Sequence, residues 1–137
     1  MNKKYDKTIF WDFDGTLGYR KTGWSGSILR TLNEEVKNHK FNIDDIRPYT
    51  REGFFWDDYE NAHTHIDSGE KWWTETRKIF IKAFLGLGFQ ESHAIDLAFK
   101  AQKVFLDYNE FTLYDDTISV LKHFKDIGYT NMLVFLK

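Results

Sequence analysis

Residues 8–18 read TIFWDFDGTLG, and the reading of this stretch decides the fold. Thr8 to Phe13 is rich in β-branched and aromatic residues and runs into Asp-Gly, the pattern of a strand followed by a turn. Asp12 and Asp14 stand two apart, and side chains two apart on an extended chain point the same way. Carboxylates that close repel each other. The pair therefore reads either as a metal-assisted reaction centre or as a polar turn in which an aspartate caps the next segment. The first reading has coherent chemistry at the C-terminal end of a parallel strand, where open α/β sheets hold their ligands. Mg²⁺ would relieve the repulsion. One carboxylate would attack phosphorus to give an aspartyl-phosphate, and the other would protonate the leaving alcohol and later activate water.

Outward from that stretch, GYRKTGWSG (residues 18–26) reads as a loop. From Ser27 to His39, Ile28, Leu29, Leu32 and Val36 recur at helical spacing, with Ser25 or Ser27 as the cap. Residues 41–69 show no sustained period and are interrupted by Pro48, so mostly loop with one short helix is expected. Two helices follow. The first presents Trp72, Trp73, Thr76, Ile79, Phe80, Ala83, Phe84 and Leu87, and Gly86 and Gly88 mark its stop. The second presents Ile95, Ala98, Gln102 or Ala101, Phe105 and Tyr108. Near the end, Asp115 or Asp116 caps a helix with inner face Ile118, Leu121, Phe124 and Ile127, ended by Gly128. Tyr129 to Leu136 then reads as a strand buried on both faces. A strand at each end with helices between predicts a split arrangement. Residues 1–18 and 113–137 form an α/β core, and 19–112 form an inserted helical module.

Composition sets the bounds. With 137 residues, 42% of them hydrophobic and 18% aromatic, the chain is a globular protein rather than a disordered one. A net charge of −2 carries no nucleic-acid footprint. The absence of cysteine removes disulfides, thiolate nucleophiles and cysteine zinc sites, and it suits a reducing cytoplasm. No run approaches the roughly 18 apolar residues of a membrane span. The expectation is a cytoplasmic protein with no membrane and no nucleic-acid partner. Lesser features read as structure. His63 and His65 lack an obvious third ligand, Asp57, Asp58 and Glu60 read as a solvated face, and Asp115-Asp116 as a cap. Arg47 and Arg51 suit a substrate phosphate by chemistry but read first as surface, and the aromatics as core.

IFWDFDGTLG resembles the first motif, hhhhDxDGT, of the haloacid dehalogenase (HAD) superfamily, whose members are mostly Mg²⁺-dependent phosphatases. DGTLGYR…GWSG, EKWWTETRKIFIKAFLGLG and YDDTISVLKHFKDIGYTNMLV are similar in order and spacing to members with a helical C1 cap inserted after that motif. The resemblance implies an incomplete HAD-like Rossmannoid core, two parallel strands plus a helix, with an inserted α-helical cap. Asp12 resembles the nucleophile. Asp14 resembles the general acid/base, with its backbone carbonyl on Mg²⁺, and it argues against a true dehalogenase. Asp12 and Asp14 would hold the metal, and the amides of Phe13 and Asp14 would face the phosphoryl group. Trp24, Trp72 and Trp73 would belong to the cap or its junction. The implied activity is hydrolysis of a small phosphorylated metabolite.

The chain also departs from that pattern. Leu136 stands where the family's second motif has a hydroxyl, and Lys137 where it usually has Asn. The third-motif lysine and the fourth-motif acids have no matching positions. The expectations are a truncated gene or disrupted frame, weak Mg²⁺ binding and a chain inactive alone. The alternative is a non-enzymatic relative acting as a binding or assembly module. Two strands with open apolar edges predict a homo-oligomer, joined through sheet edges or swapped elements.

Overall fold

The computed structural model describes residues 7–134. In chain order it contains β1 (Lys7–Trp11), β2 (Gly18–Arg20), α1 (Gly23–Glu35), α2 (Ile43–Thr50), α3 (Gly69–Gly86), α4 (Glu91–Phe105), β3 (Phe111–Leu113), α5 (Thr117–Asp126) and β4 (Tyr129–Leu133). The fold class is α/β. Two compact units divide the chain, residues 7–21 with 111–134, and residues 22–110. The sequence positions of Leu136 and Lys137 lie outside the described residues.

In the strand-bearing unit, β1 and β4 pair in parallel, Lys7 opposite Tyr129 and Trp11 opposite Leu133. α5 packs on one face of the pair. Trp11 and Phe124 bring their rings to 5.8 Å, and Phe124 meets Tyr129 edge-on at 5.6 Å. The Trp11 indole Nε1 donates to Asn131 Oδ1 at 2.9 Å, and Asn131 Nδ2 donates to the Leu121 carbonyl at 2.8 Å. One asparagine thus ties both strands to the helix. By alternation the opposite face carries Thr8, Phe10, Thr130 and Met132. Phe10 is 65% and Met132 48% exposed.

Two expectations are corrected here. β4 is covered on one face only, and Ile118 and Ile127 of the α5 region are exposed while Leu121 and Phe124 are half-buried. An apolar run reports a capacity for burial, and only neighbouring elements supply the cover. GYR is also no loop, because β2 pairs antiparallel with β3, Gly18 opposite Leu113 and Arg20 opposite Phe111. Each strand of that ribbon is three residues long, too short to show a period.

The helical unit packs α4 against both α1 and α3. Its core holds Ile28, Leu32, Ile46, Phe80, Ala83, Phe84, Ala94, Leu97, Ala98 and Ala101. The buried face of α4 is Ala94, Leu97, Ala98, Ala101, Val104 and Phe105, whereas Ile95 is exposed and Tyr108 lies beyond the helix. Small residues let two helices approach α4 closely, and that choice outweighs the size of Ile95. α1 starts at Gly23, earlier than expected, so Ser25 and Ser27 lie inside it. The Ser27 hydroxyl donates to the Gly23 carbonyl, and Ser25 shares a hydrogen bond with Thr50. Pro48 lies within α2 rather than ending it. Asn42 and Asp45 form a capping box there, and Ile46 is fully buried. Trp24 stacks on Phe105 at 3.9 Å. No described helix is long and apolar enough to cross a membrane.

The two ends of this unit are held together by charge and hydrogen bonding. Thr22 Oγ1 donates to Glu110 Oε2 at 2.7 Å. Arg30 Nη1 donates to Glu110 Oε1 at 2.7 Å and Asp107 Oδ2 at 3.1 Å, and its Nε donates to Glu34 Oε1 at 2.8 Å. Glu34, then Glu110 and Asp107, hold the Arg30 guanidinium above its usual range. The Asn109 amide, then Arg30, holds the Asp107 carboxyl below the ordinary carboxylate range. A depressed folded value stabilises the fold above the unfolded carboxyl's titration at about pH 4, and that contribution is lost as pH falls through the folded value. Asp107→Asn is therefore expected to flatten the loss of thermal stability below about pH 4. Melting curves across acid pH that coincide in slope with the wild type would contradict this.

Candidate functional site

Asp12 follows the last residue of β1, at the C-terminal tip of the parallel pair. The next residues make one tight turn. Gly15 adopts φ +84°, a region open to glycine, and the amides of Thr16, Leu17 and Gly18 converge on the Phe13 carbonyl at 3.2, 3.0 and 3.1 Å. Gly15 N donates to the Gly18 carbonyl at 2.8 Å. The Leu17 carbonyl then accepts from the buried Thr117 hydroxyl at 2.6 Å and from Tyr114 N at 3.2 Å, which anchors the turn to the start of α5.

Gly18 is where the turn becomes the ribbon. A Cβ there would lie 2.7 Å from the Thr112 carbonyl oxygen and 3.0 Å from Phe13 Cζ. Gly18→Ala is expected to destabilise the strand-bearing unit by about 1–3 kcal/mol. Chemical denaturation that finds the variant as stable as wild type would refute this close approach.

Both acids face solvent. Asp12 Oδ1 accepts from the Phe13 amide at 2.9 Å. The Asp14 side chain is 63% exposed and lies 3.7 Å from Arg20 Nε. Arg20 rests on the Phe111 ring at 4.0 Å, and Phe111 meets Phe13 edge-on at 5.3 Å. Burial lowers the Arg20 pKa and Asp14 pulls it back up, but a guanidinium stays charged throughout. Arg20 was missed in the sequence because it sits in a stretch read as loop. The β-forming residues of FTL at 111–113 are the one signal that a partner strand existed.

The donors suit a hard cation only in part. Among the described residues, no three His, Cys, Asp or Glu side chains come together as a metal site. The Asp12 carboxylate and the Asp14 backbone carbonyl could serve Mg²⁺, which keeps several waters and needs only one or two carboxylates. They cannot form an all-protein cage.

The other expected features resolve into structure. In the helical unit, His63 Nε2 lies 3.0 Å from the Asp58 carbonyl, and His63 and His65 have ring centroids 6.0 Å apart. Asp57, Asp58 and Glu60 are all exposed, as a solvated face requires, and Asp57 also accepts from the Gly53 and Phe54 amides at 2.7 and 2.9 Å. Arg47 pairs with Asp44. Asp116 takes the N-cap position of α5 without a side-chain hydrogen bond, so its expected capping bond does not form. Trp24, Trp72 and Trp73 belong to the helical unit's aromatic cluster.

Compared with models of protein families, with curated proteins and with solved structures, the chain matches none. What the site does rests on its own residues.

Proposed function

We propose that the chain is a phosphomonoester hydrolase of the haloacid dehalogenase type, built on a HAD-like core with the helical unit as its cap. The observation that carries this reading is the placement of Asp12 and Asp14 on either side of Phe13, just past the tip of a parallel strand, in a glycine turn. Asp12 is the nucleophile toward phosphorus. Its carboxylate now accepts from the Phe13 amide, and turning toward a substrate would release that amide to a phosphoryl oxygen. Asp14 is the acid that protonates the leaving alcohol and the base that later activates water. Mg²⁺ is the proposed cofactor; the Asp12 carboxylate and the Asp14 backbone carbonyl would hold it, leaving the Asp14 carboxyl free for proton transfer, and it would supply charge neutralisation. The substrate class is a small phosphorylated metabolite. The test is Mg²⁺-dependent phosphate release from a panel of small phosphomonoesters, wild type beside Asp12→Ala. Turnover that persists in the variant sinks the reading.

A second reading, an assembly module, draws on the uncovered sheet face. Phe10 and Met132 are exposed side by side, and among the described residues β1 and β4 pair only with each other. Such an edge favours pairing with a second copy. Light scattering at tens of micromolar is expected to report a dimer or larger species, and a well-folded monomer would defeat this reading.

A further inference from the structure

α4 carries two apolar stripes, and the core of the helical unit uses one of them. Ala94, Leu97, Ala98, Ala101, Val104 and Phe105 make the buried face. Ile95, Phe99, Gln102 and Leu106 make the other, in steps of four, three and four residues. That spacing keeps a stripe straight along a helix, and it is the repeat of a seam in which each side chain enters a hole on a facing helix. Ile95, Phe99 and Leu106 are 39%, 48% and 51% exposed. A lone apolar residue on a surface needs no cause, but three on one stripe mark a contact surface. The middle of the stripe is already ordered. The Arg77 guanidinium of α3 lies 4.3 Å from the Phe99 ring centroid, and its Nη1 donates to Gln102 Oε1 at 2.6 Å. Side chains ordered in advance lose less freedom on docking.

The flanking charges select the occupant. Asp96 and Lys103 each follow a seam residue, stand seven apart and are exposed. With a second α4 lying antiparallel, Ile95 meets Leu106 and Phe99 meets Gln102 of the other copy, each pairing occurring twice by symmetry. The same register brings Asp96 of each copy beside Lys103 of the other. Parallel packing would instead set Asp96 beside Glu91, a like charge, and Lys103 beside the buried Ala98. Asp96 also lies 3.1 Å from Lys100 of its own helix, but its side chain is 58% exposed, and so open a pair does not commit the carboxylate.

We propose that the outer stripe of α4 binds α4 of a second copy of this chain, antiparallel about a two-fold axis between Phe99 and Gln102. This surface belongs to the helical unit. It depends neither on the hydrolase reading nor on the Phe10–Met132 face of the other unit.

Sedimentation velocity on the full chain across the micromolar range provides the test. The wild type is expected to dimerise, and Phe10→Lys to leave that dimer intact. Phe99→Lys is expected to weaken it about a hundredfold or more, because symmetry places two charges in the seam. Asp96→Lys and Lys103→Asp each make both flanking pairs alike in sign, and each is expected to weaken the dimer about tenfold. In an equal mixture of those two variants every flanking pair is again opposite in sign, and association is expected to return. Thermal melts establish that each variant is folded, and the exposed flanking positions give an answer even if Phe99→Lys does not fold. A wild-type monomer throughout, a dimer indifferent to folded Phe99→Lys, or a mixture no tighter than its two components each overturns the proposal. A dimer lost in Phe10→Lys and kept in Phe99→Lys also overturns it, and assigns assembly to the sheet face.

Discussion

On the hydrolase reading, Asp12→Ala is expected to abolish phosphate release, by a factor of at least about 10³, with no change in melting temperature. The two halves of that expectation come from different features. The rate falls because alanine has no atom to form the bond to phosphorus. The fold is untouched because Asp12 is exposed and its hydrogen-bond partner is the amide of the very next residue. Asp14→Asn separates the roles further. It is expected to slow alkyl phosphates by about 10²–10⁴, since general acid–base assistance is worth that much. Aryl phosphates, whose leaving groups depart without a proton, should be slowed less in the step that forms the aspartyl-phosphate. Single-turnover rates on matched alkyl and aryl esters make the comparison. Equal losses on both would remove Asp14 from the acid role.

Phe84→Ala is expected to destabilise the helical unit by about 3–5 kcal/mol, a large share of the 5–15 kcal/mol that holds a typical domain together. Phe84 is fully buried in α3, in the core formed with Ile28, Leu32, Ile46 and Leu97 from the other three helices of the unit. Deleting the ring loses its transfer energy and leaves a cavity that four packed helices cannot easily close. Denaturant titration followed by tryptophan fluorescence reports the change, because Trp24 stacks on Phe105 in the same unit. A loss below about 1 kcal/mol would mean that the core is looser than its burial indicates.

Local signals made much of this legible. The strands at either end, the helices over residues 69–86 and 91–105, and the position of Asp12 and Asp14 at a strand tip all follow from period, turn chemistry and length, while the parallel pairing is what the family resemblance implied. What sequence hid was coverage and pairing. Ile95, Ile118 and Ile127 have the composition of core but are exposed, because burial depends on which elements pack over a face. The β2–β3 ribbon joins residues about ninety apart through three pairs, and nothing local marks it except FTL. Arg20 was invisible for the same reason. Its proximity to Asp14 exists only once the ribbon and the glycine turn have formed.

The Thr22–Glu110 hydrogen bond has a consequence for how such a chain is put together. It closes an 89-residue insert onto itself, with both ends of the helical unit joined by one contact and reinforced by Arg30. Directly outside that closure, Arg20 and Phe111 stand opposite each other in the ribbon. A two-residue Asn-Gly turn is long enough to link them and would leave a plain hairpin where the insert had been. The helical unit is therefore a cassette: a self-closed piece that replaces a hairpin tip, removable or exchangeable at one point without rethreading the strands that carry Asp12 and Asp14.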